Sequence, residues 1–372
     1  MSMDAQDWLL RIRGLPLTER VRIMNVCGGH ERTISMAGIR SLLPENVELI
    51  PGPGCPVCVC PEEDVYEAIQ LALNEDITLL AFGDMLRVPV NAPKSEPRSL
   101  EQARAQGADI RPIASPLDAV KFAKDNPQRR IIFFATGFET TTAPVAAMLA
   151  QGAPENLLVL LSGRLTWPAV AMLLDSGETG FNCLIAPGHV AAVMGTNEWN
   201  FVTEKHRIPA AVAGFEPVTL LAAIYSTIRQ TLEGNCFLDN CYPDVVRPEG
   251  NSSAQRHLSQ TMNIFDANWR GIGVIPRSGY TLKSDYAAHD ARRQLPDYSD
   301  SSRKRCGEMP PGCACADVVL GKCYPDECVL YGKACTPRKP VGPCMVSDEG
   351  ACRIWWASPQ ISPGRSQSKA NV

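Results

Sequence analysis

No stretch of this 372-residue chain approaches the roughly 18 consecutive apolar residues that a membrane-spanning helix needs; its best runs, Ile131 to Phe134 and Leu157 to Leu161, are strand-length. The sequence therefore predicts no integral membrane protein. Positive charge is also in short supply. Thirty-six Lys and Arg stand against 40 Asp and Glu, a formal net charge of -4 that offers no basic surface for nucleic acid. The first twenty residues place Asp4 and Asp7 ahead of a broken apolar patch and then Arg11, Arg13 and Arg20, which is not the order of a secretory signal. A cytoplasmic location is expected. Neither GxxxxGK[ST] nor GxGxxG occurs, so the glycine-rich turns carry no phosphate-cradling signature.

Cysteine, by contrast, is plentiful. Fifteen are present, and in a reducing compartment they point to metal binding or redox chemistry rather than structural disulfides. The length exceeds what one hydrophobic core usually serves, which suggests two or three domains.

From Val21 to about Leu232, short β-branched runs alternate with helix-length amphipathic segments, the pattern of α/β units with parallel strands. Strands are predicted at 21–26, 47–50, 77–81, 110–114, 131–135, 157–161, 183–186 and 210–213, with helices among them at 64–73, 116–124, 142–149 and 217–232. One barrel would accommodate eight strands, but two open, mostly parallel sheets are favoured, divided where Asn126 to Arg130 interrupts the pattern. The expected organisation is α/β, with domains at 1–127 and 128–240 and a small cysteine-rich iron-sulfur domain at 241–372. Within the last, a helix is expected at 252–263, a short strand at 273–275 and a disordered tail from Ser358.

Ligand sites in open α/β sheets lie beyond the carboxyl ends of the strands. Those ends read Cys27-Gly-Gly-His30, Pro51-Gly-Pro-Gly-Cys55-Pro-Val-Cys58, Phe82-Gly-Asp84, Thr136-Gly-Phe-Glu139, Pro187-Gly-His189 and Gly214-Phe-Glu216-Pro. Cys27 follows a strand and precedes a helix, so the helix dipole should lower its pKa, unless it is simply a small buried cysteine at a tight turn. His30 reads equally as a ligand, a proton carrier or a helix-start residue. Cys55 and Cys58 have the spacing of a reversible disulfide; half of a zinc site completed by Cys27 and Cys60 is the alternative. Asp84, Glu139, Glu216 and His189 are candidates to converge on the same cleft, with capping or turn roles as the alternative for each. Cys183, Cys236 and Cys241 read as packing or surface thiols.

Eight cysteines crowd between Cys306 and Cys352: Cys306, then Cys313-x-Cys315-x7-Cys323-x4-Cys328-x6-Cys335-x8-Cys344-x7-Cys352. Too few large apolar residues accompany them to form a core unaided. With no histidine among them, an iron-sulfur cluster or a four-thiolate zinc site suits the donors; the missing paired C-x2-C knuckles argue against an ordinary zinc ribbon.

Together, Cys27-Gly-Gly-His30, Gly52-Pro-Gly-Cys55-Pro-Val-Cys58, Gly137-Phe-Glu-Thr140, Ala186-Pro-Gly-His189, Gly214-Phe-Glu-Pro217 and Gly342-Pro-Cys344-Met-Val-Ser347 resemble the HypD family of nickel-iron hydrogenase maturation factors, from about Val21 to Trp356. The resemblance implies a scaffold on which iron acquires two cyanides and one carbon monoxide before transfer to the hydrogenase large subunit. It implies that Cys27 holds that iron jointly with a cysteine of a HypC-type small chaperone, that a HypE-type partner donates cyanide, and that Cys55 and Cys58 form a thiol pair beside it. It further implies a four-iron four-sulfur cluster on Cys313, Cys328, Cys335 and Cys352, next to a redox-active pair, Cys315 and Cys344. Cys306 and Cys323 are additional to the common pattern and stand as alternatives to Cys313. On this reading His30, His189 and the loop acids bind or protonate the diatomic ligands. The competing classes are a stand-alone iron-sulfur thiol-disulfide reductase and a zinc-stabilised binding module.

Overall fold

The computed structural model describes residues 3–93, 95–177, 179–298 and 309–358. Cys306 and all but the first residue of the expected tail lie outside them. The eight predicted strands all form: β1 Val21–Asn25, β2 Val47–Pro51, β3 Ile77–Phe82, β4 Ile110–Ile113, β5 Arg130–Gly137, β6 Leu157–Arg164, β7 Cys183–Pro187 and β8 Ala210–Ala213. Three more follow, β9 Leu238–Asn240, β10 Met262–Trp269 and β11 Gly273–Leu282. The four helices among the early strands form as well, at Glu62–Asn74, Pro116–Asp125, Glu139–Ala150 and Pro217–Glu233.

Two sheets result. The first has the order β2-β1-β7-β8-β9 and is parallel throughout. The second has the order β10-β11-β6-β5-β3-β4, parallel from β6 to β4, with β11 antiparallel to β6 and β10 antiparallel to β11. Strands covered on both faces by helices read as unbroken apolar runs, and Ile131, Ile132, Phe133 and Phe134 are all fully buried. Each such side chain contributes roughly 1.5–3 kcal/mol by leaving water.

The sheets are not made of consecutive stretches, which corrects the expected boundary. The chain builds β1 and β2, crosses to the second sheet for β3 to β6, returns for β7 to β9, and crosses again for the β10–β11 hairpin. Ile77 of β3 pairs with Arg130 of β5 across the anticipated division at 127/128, and Ile23 of β1 pairs with Cys183 of β7. The interruption at Asn126 to Arg130 is a pinned turn rather than a linker. The Asn156 amide donates to the carbonyls of Ala123, Asn126 and Arg129 at 3.0, 3.1 and 3.0 Å.

Nor does 241–372 stand apart. The predicted helix ends at Thr261, ahead of β10, and the short predicted strand extends to Leu282. Val318, Val319, Cys344 and Met345 share a core with Val57, Val59, Ile69 and Leu79, while Ile354 and Trp355 share another with Met24 and Val26. The cysteine-rich segment thus gains from the larger fold the apolar surface it lacks. Among the described residues no helix is long and apolar enough to cross a membrane.

Candidate functional site

The crossings bring three loops to one place. Cys27 ends the β1 segment as the N-cap residue of the helix Gly28–Met36, and Cys55 is the N-cap of the short helix Pro56–Val59 that follows β2. The turn Pro343–Met345 carries Cys344 to them from the other end of the chain. Cys27, Cys55, Cys58 and Cys344 line one cavity of about 10 Å³, together with Asn25, Glu31 and Glu349. That is room for one water-sized molecule.

Glycine makes this approach possible. A methyl carbon on Gly54 would lie 2.3 Å from Cys27 Cα, and one on Gly28 would lie 2.4 Å from the Glu349 carbonyl oxygen. In place of those side chains the Gly28 N–H donates to the Gly54 carbonyl at 3.1 Å.

Cys55 and Cys58 are joined as a disulfide, with a Cα separation of 5.3 Å. The Cys58 backbone N–H donates to Cys55 Sγ at 3.1 Å. Cys60 does not complete a four-thiol set with Cys27, because its sulfur turns to Ser162 and Thr136 of the second sheet, at 3.5 and 3.9 Å.

Cys27 departs from the expectation of a lowered pKa. It keeps part of its surface open, yet desolvation of its sulfur pushes the thiol up to about 12, against the opposing effect of the His30 N–H. The Glu349 charge raises it further, and the Gly29 N–H opposes. Burial outweighs the helix terminus, so Cys27 is held as a neutral thiol.

His30 and His189 both pack against Phe215, with ring centroids 4.9 and 3.8 Å from it. His30 is fully buried, its Nε2 lies 3.0 Å from the Ala213 carbonyl, and its Nδ1 has no partner. Burial lowers its pKa to about 4, with the Ala213 carbonyl opposing, so the ring is neutral at physiological pH. It packs against Phe215 and does not line the cavity. His189 is exposed, and desolvation lowers its pKa as well.

Of the loop acids, Asp84 joins the assembly by accepting from the Ser347 hydroxyl at 2.7 Å, three residues beyond Cys344. Glu139 does not. Its two oxygens accept from the Thr166 N–H and hydroxyl, both at 2.7 Å, and burial raises it to about 7 in company with Glu198, raised to about 8. Glu216 is an exposed N-cap residue without a side-chain capping bond. Cys183 and Cys236 face Thr231 and the Thr203 carbonyl, as packing thiols do.

Sequence reasoning missed two groups. Glu31 is buried and accepts from Asn25 Nδ2 at 3.1 Å, Arg40 Nη2 at 2.7 Å and Trp355 Nε1 at 2.7 Å, tying the Cys27 helix to the helix that carries Cys352. An acid in a helix's first turn gives no sign of such a role. Glu349 follows Ser347, and desolvation of its carboxyl, then the Asp84 charge, raise its pKa. Its place beside Gly28 has no local signature.

The C-terminal thiols gather behind Cys344. Cys315 and Cys344 donate to the Cys352 sulfur and hold that group down to about 6, against its burial and the charges of Cys328 and Cys335. Cys313 hydrogen-bonds Cys315, which raises Cys313. Both sulfurs crowd the position of a Gly342 Cβ, each 2.5 Å from it. The Val341 N–H donates to Cys335 Sγ at 3.3 Å, and the Cys328 thiol reaches the Gly312 carbonyl at 3.7 Å. Cys323 lies nearby, its thiol pushed up to about 12 by burial and then by Asp317. Among the described residues no three Cys, His, Asp or Glu side chains close on a point that would hold a single metal ion. An iron-sulfur cluster spaces its thiolates more widely, and an all-sulfur donor set with backbone N–H groups aimed at sulfur fits such a group.

A family model described as HypD, hydrogenase formation hypA family, matches residues 4–358. The chain is 40% identical over 345 residues to the hydrogenase maturation factor HypD2 of Bradyrhizobium diazoefficiens, covering 90% of this chain and 88% of that protein. It is 40% identical over 344 residues to the hydrogenase maturation factor HypD of Escherichia coli K12, with the same coverage of 90% and 88%. With that of Rhodobacter capsulatus it shares 38% over 350 residues, 92% of this chain and 90% of the relative. The motifs that suggested the resemblance thus belong to an end-to-end similarity, and the chain is a member of the HypD family of hydrogenase maturation factors.

Proposed function

We propose that this chain is the scaffold on which the Fe(CN)2CO unit of a nickel-iron hydrogenase is assembled, working in the cytoplasm with HypC-type and HypE-type partners. The supporting observation is the single cavity that Cys27 shares with the Cys55–Cys58 disulfide and Cys344. Thiolate is the soft donor that low-spin iron with cyanide and carbon monoxide requires. At about 10 Å³ the cavity cannot enclose iron bearing three diatomic ligands, so the cargo sits on the open side of Cys27, beside Phe215 and His189. The remaining iron ligands come from the cargo itself and from the HypC-type partner.

Cys344 connects this cavity to the C-terminal thiols. The Cys344 sulfur attacks Cys58, its proton ending on the departing Cys55 sulfur, which the Cys58 N–H already faces. Cys315 then attacks the Cys344 sulfur. The outcome is a Cys315–Cys344 disulfide and a reduced Cys55/Cys58 pair, with sulfur and electrons conserved. A four-iron four-sulfur cluster, held by Cys313, Cys328, Cys335 and Cys352, supplies electrons singly to such a pair when bound. His30 stays neutral and buried against the Phe215 ring, which leaves the exposed His189 as the histidine able to meet a diatomic ligand.

Infrared spectra after co-expression with the partners test this. Cyanide and carbon monoxide bands are expected in the wild-type complex. They should vanish in Cys27→Ala while the brown cluster colour persists; loss of colour as well would overturn the division of roles. A coloured protein that never shows the bands would favour a stand-alone thiol-disulfide reductase.

A further inference from the structure

Arg270 is 1% exposed, in the turn between β10 and β11. Its backbone N–H donates to the Val59 carbonyl at 3.0 Å, which fastens it to the helix of the Cys55–Cys58 disulfide. Its Nη2 donates to the Pro89 carbonyl at 2.7 Å and to Glu62 Oε2 at 3.4 Å. Its Nε and Nη1 are buried without a partner. A guanidinium does not lose its proton in proteins, so a full positive charge with two idle donors is enclosed here.

The surroundings indicate what those donors serve. A Cβ on the next residue, Gly271, would lie 2.6 Å from Met309 Cγ and 3.0 Å from Ala316 Cβ, so the turn rests on the segment carrying Cys313 and Cys315. Trp269 and Ile272, on either side of this turn in sequence, pack in the same core as Met309, Cys313 and Cys315. Four thiolates around an iron-sulfur cluster form a buried anion, and reduction adds one more negative charge. Such an anion is tolerated inside a fold only beside a compensating cation and hydrogen-bond donors.

We infer that Arg270 is the buried counter-charge of the cluster, donating from Nε and Nη1 to sulfur at its Cys313 side and making the cluster easier to reduce. This rests on the reading that Cys313, Cys328, Cys335 and Cys352 hold a cluster. Arg270 is a positioning residue in this role, joining the cluster to the disulfide helix through its main chain.

The test is a potentiometric titration of the purified full chain, followed by electron paramagnetic resonance, with iron and acid-labile sulfide measured on the same samples. In Arg270→Met the cluster should remain while reduction becomes at least tenfold less favourable, a fall of about 59 mV for one electron. Arg270→Lys keeps the charge and should fall less. Where Arg270→Met does not fold because Glu62 loses its countercharge, the double variant Arg270→Met/Glu62→Gln removes both charges and should show a fall in the same direction but smaller, reflecting the lost guanidinium donors. An unchanged potential in a loaded, folded variant lacking the guanidinium, or an equal fall with Lys and Met, overturns the inference. Wild-type protein without iron and sulfide after anaerobic reconstitution overturns instead the reading beneath it.

Discussion

Gly54→Ala is the sharpest perturbation the site offers. The new methyl carbon would stand 2.3 Å from Cys27 Cα, 2.5 Å from its N and 2.7 Å from its C. Non-bonded carbons prefer about 3.5–4.0 Å, so a shift of about 1 Å is required. All three obstructing atoms are main chain, anchored by the Gly28 N–H to the Gly54 carbonyl and by the Val26 N–H to the Ile185 carbonyl at 3.0 Å. No side chain can rotate away. Gly54 is outside the left-handed backbone region, so contact rather than dihedral strain sets the cost. Overpacking typically costs about 1–3 kcal/mol, and this rigid case belongs at the upper end, on the order of a hundredfold in the folding equilibrium. Gly83 is the matched control, since nothing lies within 4 Å of its Cβ position. Urea unfolding should show Gly54→Ala clearly destabilised and Gly83→Ala unchanged, and only the former should lose the infrared bands of bound cyanide. Equal stability of the two, with the bands kept by both, would refute the claim that main-chain contact fixes Cys27.

Burial raises the folded pKa values of the Glu139/Glu198 pair to about 7 and 8 from the ordinary carboxylate value of 4.5, so its contribution is fully present below pH 4.5 and is lost as pH rises through those values. Glu198→Gln should flatten the decline of the urea midpoint between pH 5 and pH 8; an unaltered profile would remove the pair from the explanation. After mild oxidation with diamide, Cys55→Ser/Cys315→Ser should trap a Cys58–Cys344 mixed disulfide in peptide mass spectra, whereas Cys58→Ser/Cys315→Ser should not trap Cys55 with Cys344. Equal trapping would contradict the assigned direction of attack. Glu31→Ala removes the carboxylate that pairs Arg40 and accepts from Trp355 Nε1, and should cost about 3–5 kcal/mol in chemical unfolding, the usual loss when half of a buried pair is removed.

Strands and loop chemistry were legible because both are local. The run at 131–135 has no polar residue and can only be a doubly covered strand, and glycine beside cysteine marks a turn wherever it falls. Sheet membership was not legible. Nothing in 21–26 announces that its neighbour lies at 183–186, and the pause at 126–130 is a turn whose fastener, Asn156, sits some thirty residues on. The sign of the Cys27 shift was missed for a question of size. A helix terminus is worth about 0.3–1 kcal/mol, less than one pKa unit, whereas burial moves a group by up to about 3–5 units. The position of Cys27 could be read locally, but the atoms that desolvate it arrive from Glu349 and its neighbours.

The alternating route between the two sheets also governs the order in which the protein can mature. β1 gains its second neighbour only after residue 183 has emerged from the ribosome, and the cavity closes only with Cys344. Iron delivered to a nascent chain would meet a solitary thiol on a half-built strand pair. Under the proposed scaffold role, the chain must be finished as far as the turn that carries Cys344 before it can accept the atom it would pass on.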